Sequence, residues 1–224
     1  MRTANQHIYD ALAMIPSDDP KYSELRKMVE SLKRGETRLK MEQYKMLKNR
    51  EFERYLNTQP HEDVLKAFVG IADEVKDKDY WSLLRGVWTR GEDVQPRDLW
   101  RKLLMRHPYD SAAIMTREEQ VILDRLPNII DIYRGSSNES YNEGFSFTLD
   151  EQRAEWFAHR YTGPQGQLIA RFRLSHFRED HEVTPLLIRG TVEKKDILAY
   201  IDDRGEDEII VLPENVKIEE VTEL

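Results

Sequence analysis

The chain has 224 residues, 39% hydrophobic and 34% charged, enough for one domain with an appendage or two small domains around a real core. It has no cysteine, which excludes disulfides, thiol nucleophiles and Cys-ligated zinc or iron–sulfur centres. Its apolar runs are short, and the run from Ile8 to Ile15 carries Asp10 with no basic stretch of signal type before it, so no membrane span or secretory signal is expected and a cytoplasmic chain is.

The net charge of −8 is unevenly spread: Lys21 to Arg54 holds eleven Lys and Arg against six Glu, a local +5 that leaves −13 for the rest. Mixed signs read as a solvated helix face, with an acidic or nucleic-acid partner as the alternative. Leu25, Met28, Val29 and Leu32 recur at helical spacing up to Gly35, which reads as a stop, and Leu39, Gln43, Met46, Leu47 and Tyr55 suggest a second, poorly apolar helix. Residues 1–57 are thus expected as a charged helical arm, closed by the breaker Thr58-Gln59-Pro60.

From Glu62 the apolar positions Val64, Leu65, Phe68, Val69, Ala72 and Val75 form a wide helical face. Helical pieces follow around Trp81 to Leu84 and from Pro96 to Arg106, with Pro108 beyond the second. Thr116 and Glu119 make a capping-box pattern, opening a helix through Val121, Ile122 and Leu126 that stops before Pro127. Trp81, Trp88 and Trp100 are expected in the core.

After Pro127 the period becomes extended. Asn128 to Tyr133 reads as a strand ending in Arg134-Gly135, a polar loop holds Ser136, Ser137 and Asn138, and Gly144 to Thr148 is a short strand. A helix from Asp150 to His159 and a turn at Gly163-Pro164-Gln165-Gly166 lead to strands at Leu168–Leu174, Leu186–Val192, Ile197–Ile201, Ile209–Leu212 and Val216–Val221. The expected class is α+β: helices first, then a mostly antiparallel sheet with one helix inserted, residues 58–127 leading into a core at 128–224.

Three pieces of the second half carry the chemistry: Tyr133-Arg134-Gly135 closing a strand, Ser146-Phe147-Thr148 before a helix, and Glu206-Asp207-Glu208 entering an apolar strand. An extended run from Glu206 puts Glu206 and Glu208 on one face with Asp207 opposite. Alone, such a pair of acids reads as a solvated turn. In this order the three pieces resemble the Arg–Ser–Glu group of mono-ADP-ribosyltransferases, and the helical lead-in is similar to the transferases that some bacteriophages deliver against host proteins. The resemblance spans about Leu126 to Val221.

It implies a mono-ADP-ribosyltransferase-like core that uses NAD as substrate, with no metal, and moves ADP-ribose to a host protein, for which the transcription or translation machinery and an RNA acceptor are both open. Arg134, beside Gly135, would fork its donors onto pyrophosphate oxygens. Glu208 would stabilise positive charge growing on the ribose, Ser146 would orient Glu208, and Thr148 would support the strand or the nicotinamide pocket. Glu206 would position and deprotonate the acceptor; in the family, Glu there accompanies transfer to arginine. The turn Asp202 to Gly205 would read the acceptor surface. Phe145, Phe147, Tyr141 and Trp156 include candidates for stacking on nicotinamide, with Phe147 assigned to the NAD site and Trp156 expected in the core. His176, Glu179, Asp180, His181 and Glu182 match no metal-ligand spacing and read as a solvated loop. Alternatives are an NAD glycohydrolase and a non-catalytic binding protein on the same fold.

Overall fold

The computed structural model describes residues 9–10, 13–17, 22–91, 97–106, 112–136, 144–160, 162–163 and 184–224. Pro96, Pro108, Ser137, Asn138, Tyr141, the turn at 164–166, the expected strand at 168–174 and the cluster at 176–182 lie outside the described residues. The chain divides into two units, Met1–Gln59 and Pro60–Leu224, where the expected division fell after residue 57.

In the first unit a 27-residue helix, α1 (Tyr22–Lys48), runs straight through Gly35. A glycine costs a helix interior only about 1 kcal/mol relative to alanine, too little to end a helix of this length. The true stop is Arg50, whose φ of 59° is left-handed. Its N–H reaches the Leu47 carbonyl at 3.0 Å and the Glu51 N–H reaches Met46 at 2.8 Å, the paired bonds of a Schellman motif built without glycine. The chain then enters α2 (Phe52–Asn57).

The second unit begins with three helices, α3 (Val64–Ile71), α4 (Asp77–Arg90) and α5 (Arg97–Leu104), which bury Val64, Leu65, Phe68, Trp81, Trp100 and Leu103. In α6 (Arg117–Arg125) the expected capping box is present, with the Glu119 N–H on Thr116 Oγ1 at 3.2 Å and the Thr116 N–H on Glu119 Oε2 at 2.7 Å. Its buried residue is Glu119, whereas Val121 and Ile122, read as its apolar side, are exposed.

Among the described residues the strands are β1 (Ile129–Ser136), β2 (Ser146–Thr148), β3 (Leu186–Glu193), β4 (Ile197–Ile201), β5 (Glu208–Val211) and β6 (Val216–Glu223). They form one sheet in the order β4-β5-β2-β1-β3-β6, every pairing antiparallel. Helix α7 (Glu151–His159) is inserted after β2, so the structure is mixed, helices first and antiparallel sheet after. One sheet face carries the apolar cluster of Ile130, Ile132, Phe147, Ile188, Val192, Tyr200, Ile209 and Val211. At Gly135, on the other face, α7 lies so close that a Cβ would be 1.8 Å from the Ala154 carbonyl oxygen.

The start of the turn before β5 is tied to the helices by a part-buried cation. Arg85 of α4 donates to both Glu119 oxygens, at 2.7 and 2.9 Å, to the Ile114 carbonyl at 2.8 Å and to Asp203 at 3.1 Å. Glu119 also accepts from the Asp202 N–H at 2.9 Å. Burial alone would raise the Glu119 pKa, but the bonds from Arg85, Asp202 and Thr116 outweigh it and bring the carboxyl from 4.5 to about 2. A depressed carboxyl contributes stability above its unfolded pKa and loses it as pH falls through the folded value. At roughly 1.4 kcal/mol per pH unit the contribution is about 3 kcal/mol. Urea unfolding should therefore show Glu119→Gln less stable than the wild type by about 3 kcal/mol at pH 7, with the gap closing between about pH 4.5 and 2; a gap that persists at the acid end refutes the assignment.

Candidate active site

Directly opposed residues of antiparallel strands share a face. Thr148 opposes both Tyr133 and Glu208, and Ser146 opposes Ile210, so Ser146, Thr148 and Glu208 lie on the face away from the apolar cluster. The Ser146 hydroxyl donates to Glu208 Oε1 at 2.5 Å. Trp88 Nε1 of α4 donates to the other carboxylate oxygen, Oε2, at 3.1 Å. With a donor on each oxygen, the Glu208 carboxyl has one orientation, and it is only 6% exposed.

The sequence reading missed Trp88. Its indole packs edge-on against Trp100, centroids 4.8 Å apart, but it is half-buried and not in the core, where it was expected. The polar end does the other work: an indole N–H needs an acceptor when it is covered, and Glu208 supplies one. The apolar spacing of α4 marks the ring as inward-facing but carries no sign of an acid 120 residues later.

Glu206 and Glu208 do not arise from one extended run. Asp207 between them has φ 45° and Gly205 has φ 62°, so the strand starts only at Glu208 and simple alternation does not apply. Asp207 is held in this conformation by three bonds: its carboxylate accepts from the Tyr200 hydroxyl, its N–H reaches Asp202 Oδ1 at 3.3 Å and its carbonyl accepts from Leu149 at 3.1 Å. The Glu206 carbonyl accepts from Thr148 Oγ1 at 2.6 Å, and the same hydroxyl accepts from the Asp150 N–H at 3.1 Å, so Thr148 fastens the turn to the start of α7. The Glu206 carboxylate takes Arg204 Nη2 at 2.8 Å and keeps 18% side-chain exposure. It is close enough to add to the upward push on the Glu208 pKa.

Arg134 occupies another position than the one expected. It opposes Ile188 on the face of the apolar cluster, is 6% exposed, and donates from Nη1 to the Ser146 carbonyl at 2.6 Å. The Phe145 carbonyl bonds to β5 through the Val211 N–H, so by alternation the Ser146 carbonyl faces β1. There β1 and β2 share a register pair only at Tyr133↔Thr148, and the guanidinium takes the carbonyl that a continued ladder would have used. A Cβ at Gly144 would come within 2.2 Å of Arg134 Cζ, so the backbone lies against the guanidinium. Gly135 likewise serves close approach of α7, and its expected role beside phosphate has no counterpart in these contacts.

Two aromatic expectations are corrected. Phe147, assigned to nicotinamide, is 3% exposed in the apolar cluster, because alternation along β2 turns it to the face opposite Ser146 and Thr148. Trp156, expected in the core, is 54% exposed, since α7 presents Ala154 and Ala158 inward and leaves the indole against Phe157.

Together these residues make a buried, doubly hydrogen-bonded carboxylate beside a more accessible one, on the sheet face opposite the apolar cluster. No family model, curated protein or solved structure matches the chain. Among the described residues no group of His, Asp or Glu is placed to hold a metal ion, and no helix is long and apolar enough to cross a membrane.

Burial, followed by repulsion from Glu206, raises the Glu208 pKa above its ordinary 4.5, against lowering by Ser146, Trp88 and the charge of Arg204. A raised carboxyl pKa means the native state binds the proton more tightly, so Glu208 costs stability as pH rises from about 4.5 through its folded value. Glutamine at this position can accept from Trp88 through oxygen and donate to a reversed Ser146 hydroxyl. Glu208→Gln should therefore melt a few degrees higher than the wild type at pH 8, on a scale of about 2–4 °C per kcal/mol, with little difference at pH 4. Equal or lower melting at pH 8 would contradict a destabilising charge.

Proposed function

We propose that the chain is a mono-ADP-ribosyltransferase that moves ADP-ribose from NAD to an arginine of a host protein. The observation that carries this reading is the Glu208 carboxylate, buried on an antiparallel sheet and oriented by Ser146 and Trp88, with the Glu206 carboxylate beside it. NAD supplies a cationic nicotinamide joined to ribose: the C1′–N bond breaks with its electron pair staying on the pyridine nitrogen, and nicotinamide departs neutral without a general acid.

What remains for the protein is positive charge on the sugar and a proton on the acceptor. Glu208 answers the first: a fixed negative group in a water-poor site stabilises developing positive charge without reorganising. Ser146 and Trp88 are positioning residues for it, and Arg134 in turn holds the strand that carries Ser146. Glu206 answers the second. A guanidinium nitrogen forms the new bond to C1′ and gives up a proton to the Glu206 carboxylate, so charge and protons balance. The arginine preference rests on Glu206 already holding a guanidinium, that of Arg204, at 2.8 Å.

Labelled NAD incubated with host lysate should place label on protein. Glu208→Gln should lower both transfer and NAD hydrolysis by at least about 100-fold, the scale of losing one well-placed electrostatic group. Glu206→Ala should abolish transfer yet leave part of the hydrolysis. Free ADP-ribose without labelled protein favours the NAD glycohydrolase reading, nuclease-sensitive label identifies an RNA acceptor, and a wild type that neither consumes NAD nor gains thermal stability from it leaves only a binding protein. Because Glu208 acts ionised and its pKa is raised, activity should climb with pH along an acid limb centred above 4.5; a limb centred at or below 4.5 contradicts the role.

A further inference from the structure

The turn before β5 contains its own guanidinium. Arg204 places Nη2 at 2.8 Å from Glu206 Oε2 and Nη1 at 3.2 Å from the Thr89 carbonyl of α4. Its side chain is 49% exposed over a Glu206 side chain that is 18% exposed, so Arg204 covers the accessible side of that carboxylate. The neighbouring acids are otherwise engaged: Asp203 with Arg85, Asp207 with the Tyr200 hydroxyl, and Asp202 with the Asp207 N–H.

We propose that Arg204 is a built-in stand-in for the acceptor, occupying the acceptor guanidinium's place on Glu206, and that an incoming arginine must displace it. The proposal rests on the transferase reading and adds to it how the acceptor site is guarded and what it admits. Glu206 and Glu208 repel each other, and the Arg204 charge counters both. Exchanging one guanidinium for another keeps that balance, whereas a neutral group in the same place leaves two carboxylates facing each other without a cation. The site therefore selects cationic, forked acceptors over hydroxyls or water. An exposed pair of this kind is weak, so it competes with an incoming cation by only up to about fivefold. Weakness is what lets a substrate exchange with it.

Initial rates of transfer to agmatine, a small guanidinium acceptor, and of NAD hydrolysis test this in the wild type, Arg204→Ala and Arg204→Gln. Glutamine keeps an amide donor for the Thr89 carbonyl while removing the cation, so the turn stays braced in at least one variant, and thermal melting of each confirms the fold. The expected result is a KM for agmatine lowered by up to about fivefold in both variants, with transfer rising relative to hydrolysis at low agmatine. ADP-ribose found on Arg204 of the wild type by mass spectrometry also supports occupancy of the acceptor place. If the wild type transfers and the KM is unchanged or higher in both folded variants, Arg204 is only a brace and the proposal fails alone. A wild type that consumes no NAD removes the transferase reading and this proposal together.

Discussion

Most of the arrangement around β5 follows from placing one carboxylate where water does not reach it. An isolated ionised carboxylate in such a place is costly, and the protein meets the cost with two donors from distant segments, Ser146 on β2 and Trp88 on α4. Each donor fixes an element. Ser146 is delivered by the pairing of β2 with β5, and Trp88 requires α4 to lie alongside the start of β5. The same helical stripe then serves the preceding turn, because Arg85 and Thr89 stand three residues before and one after Trp88 and bind Asp203 and Arg204. A helix face whose apolar side looks like ordinary core thus also holds the segment from Asp203 to Glu208.

The compensation is incomplete, since the Glu208 pKa still lies above the ordinary carboxylate value. A group kept for folding alone would be replaced at little cost by an uncharged side chain of similar shape. The contrast with Glu119 sharpens the point. That carboxyl is buried too, but Arg85, Thr116 and the Asp202 N–H bring its pKa to about 2, so its ionised form stabilises the native state. One buried glutamate gains stability by being ionised; the other is ionised at a cost. This difference supports a chemical role for Glu208 and a supporting one for Glu119.

The sequence makes the local structure legible where the signal is local. The capping box at Thr116 and Glu119, the strands from Leu186 and Ile197, and the stop at the residue before Pro127 depend on neighbours within a few positions. Facing is harder. Phe145-Ser146-Phe147-Thr148 alternates cleanly and puts its phenylalanines on one face, which the pairing of Phe147 with Ile209 joins to the core; the acid that Ser146 meets on the other face is not in the pattern. The φ of 45° at Asp207 is equally hidden: aspartate tolerates the left-handed region without requiring it, and the bonds with Tyr200, Asp202 and Leu149 that hold it there come from the fold. Arg134 shows a third limit. Its residue type suits phosphate, but its strand position turns it inward, and the parting of β1 from β2 gives it a carbonyl to bind. Ser146 and Glu208 were legible as candidates; their bond, the Trp88 contact and the Arg134 brace needed the fold.

The two glutamates differ in a way that suits separate jobs. Glu208 is enclosed, hydrogen-bonded on both oxygens and fixed by a strand, so it can stabilise charge at one point but has little freedom to carry a proton away. Glu206 lies two residues before the strand, keeps partial exposure and is paired with the Arg204 guanidinium. A proton acceptor needs access to its donor and then to water, which the second position offers and the first does not. The left-handed Asp207 is the backbone feature that permits this division, because an extended residue there would have carried both acids into one ladder. In the proposed transferase, then, the sharp turn at Asp207 is what separates breaking the sugar bond from choosing the acceptor.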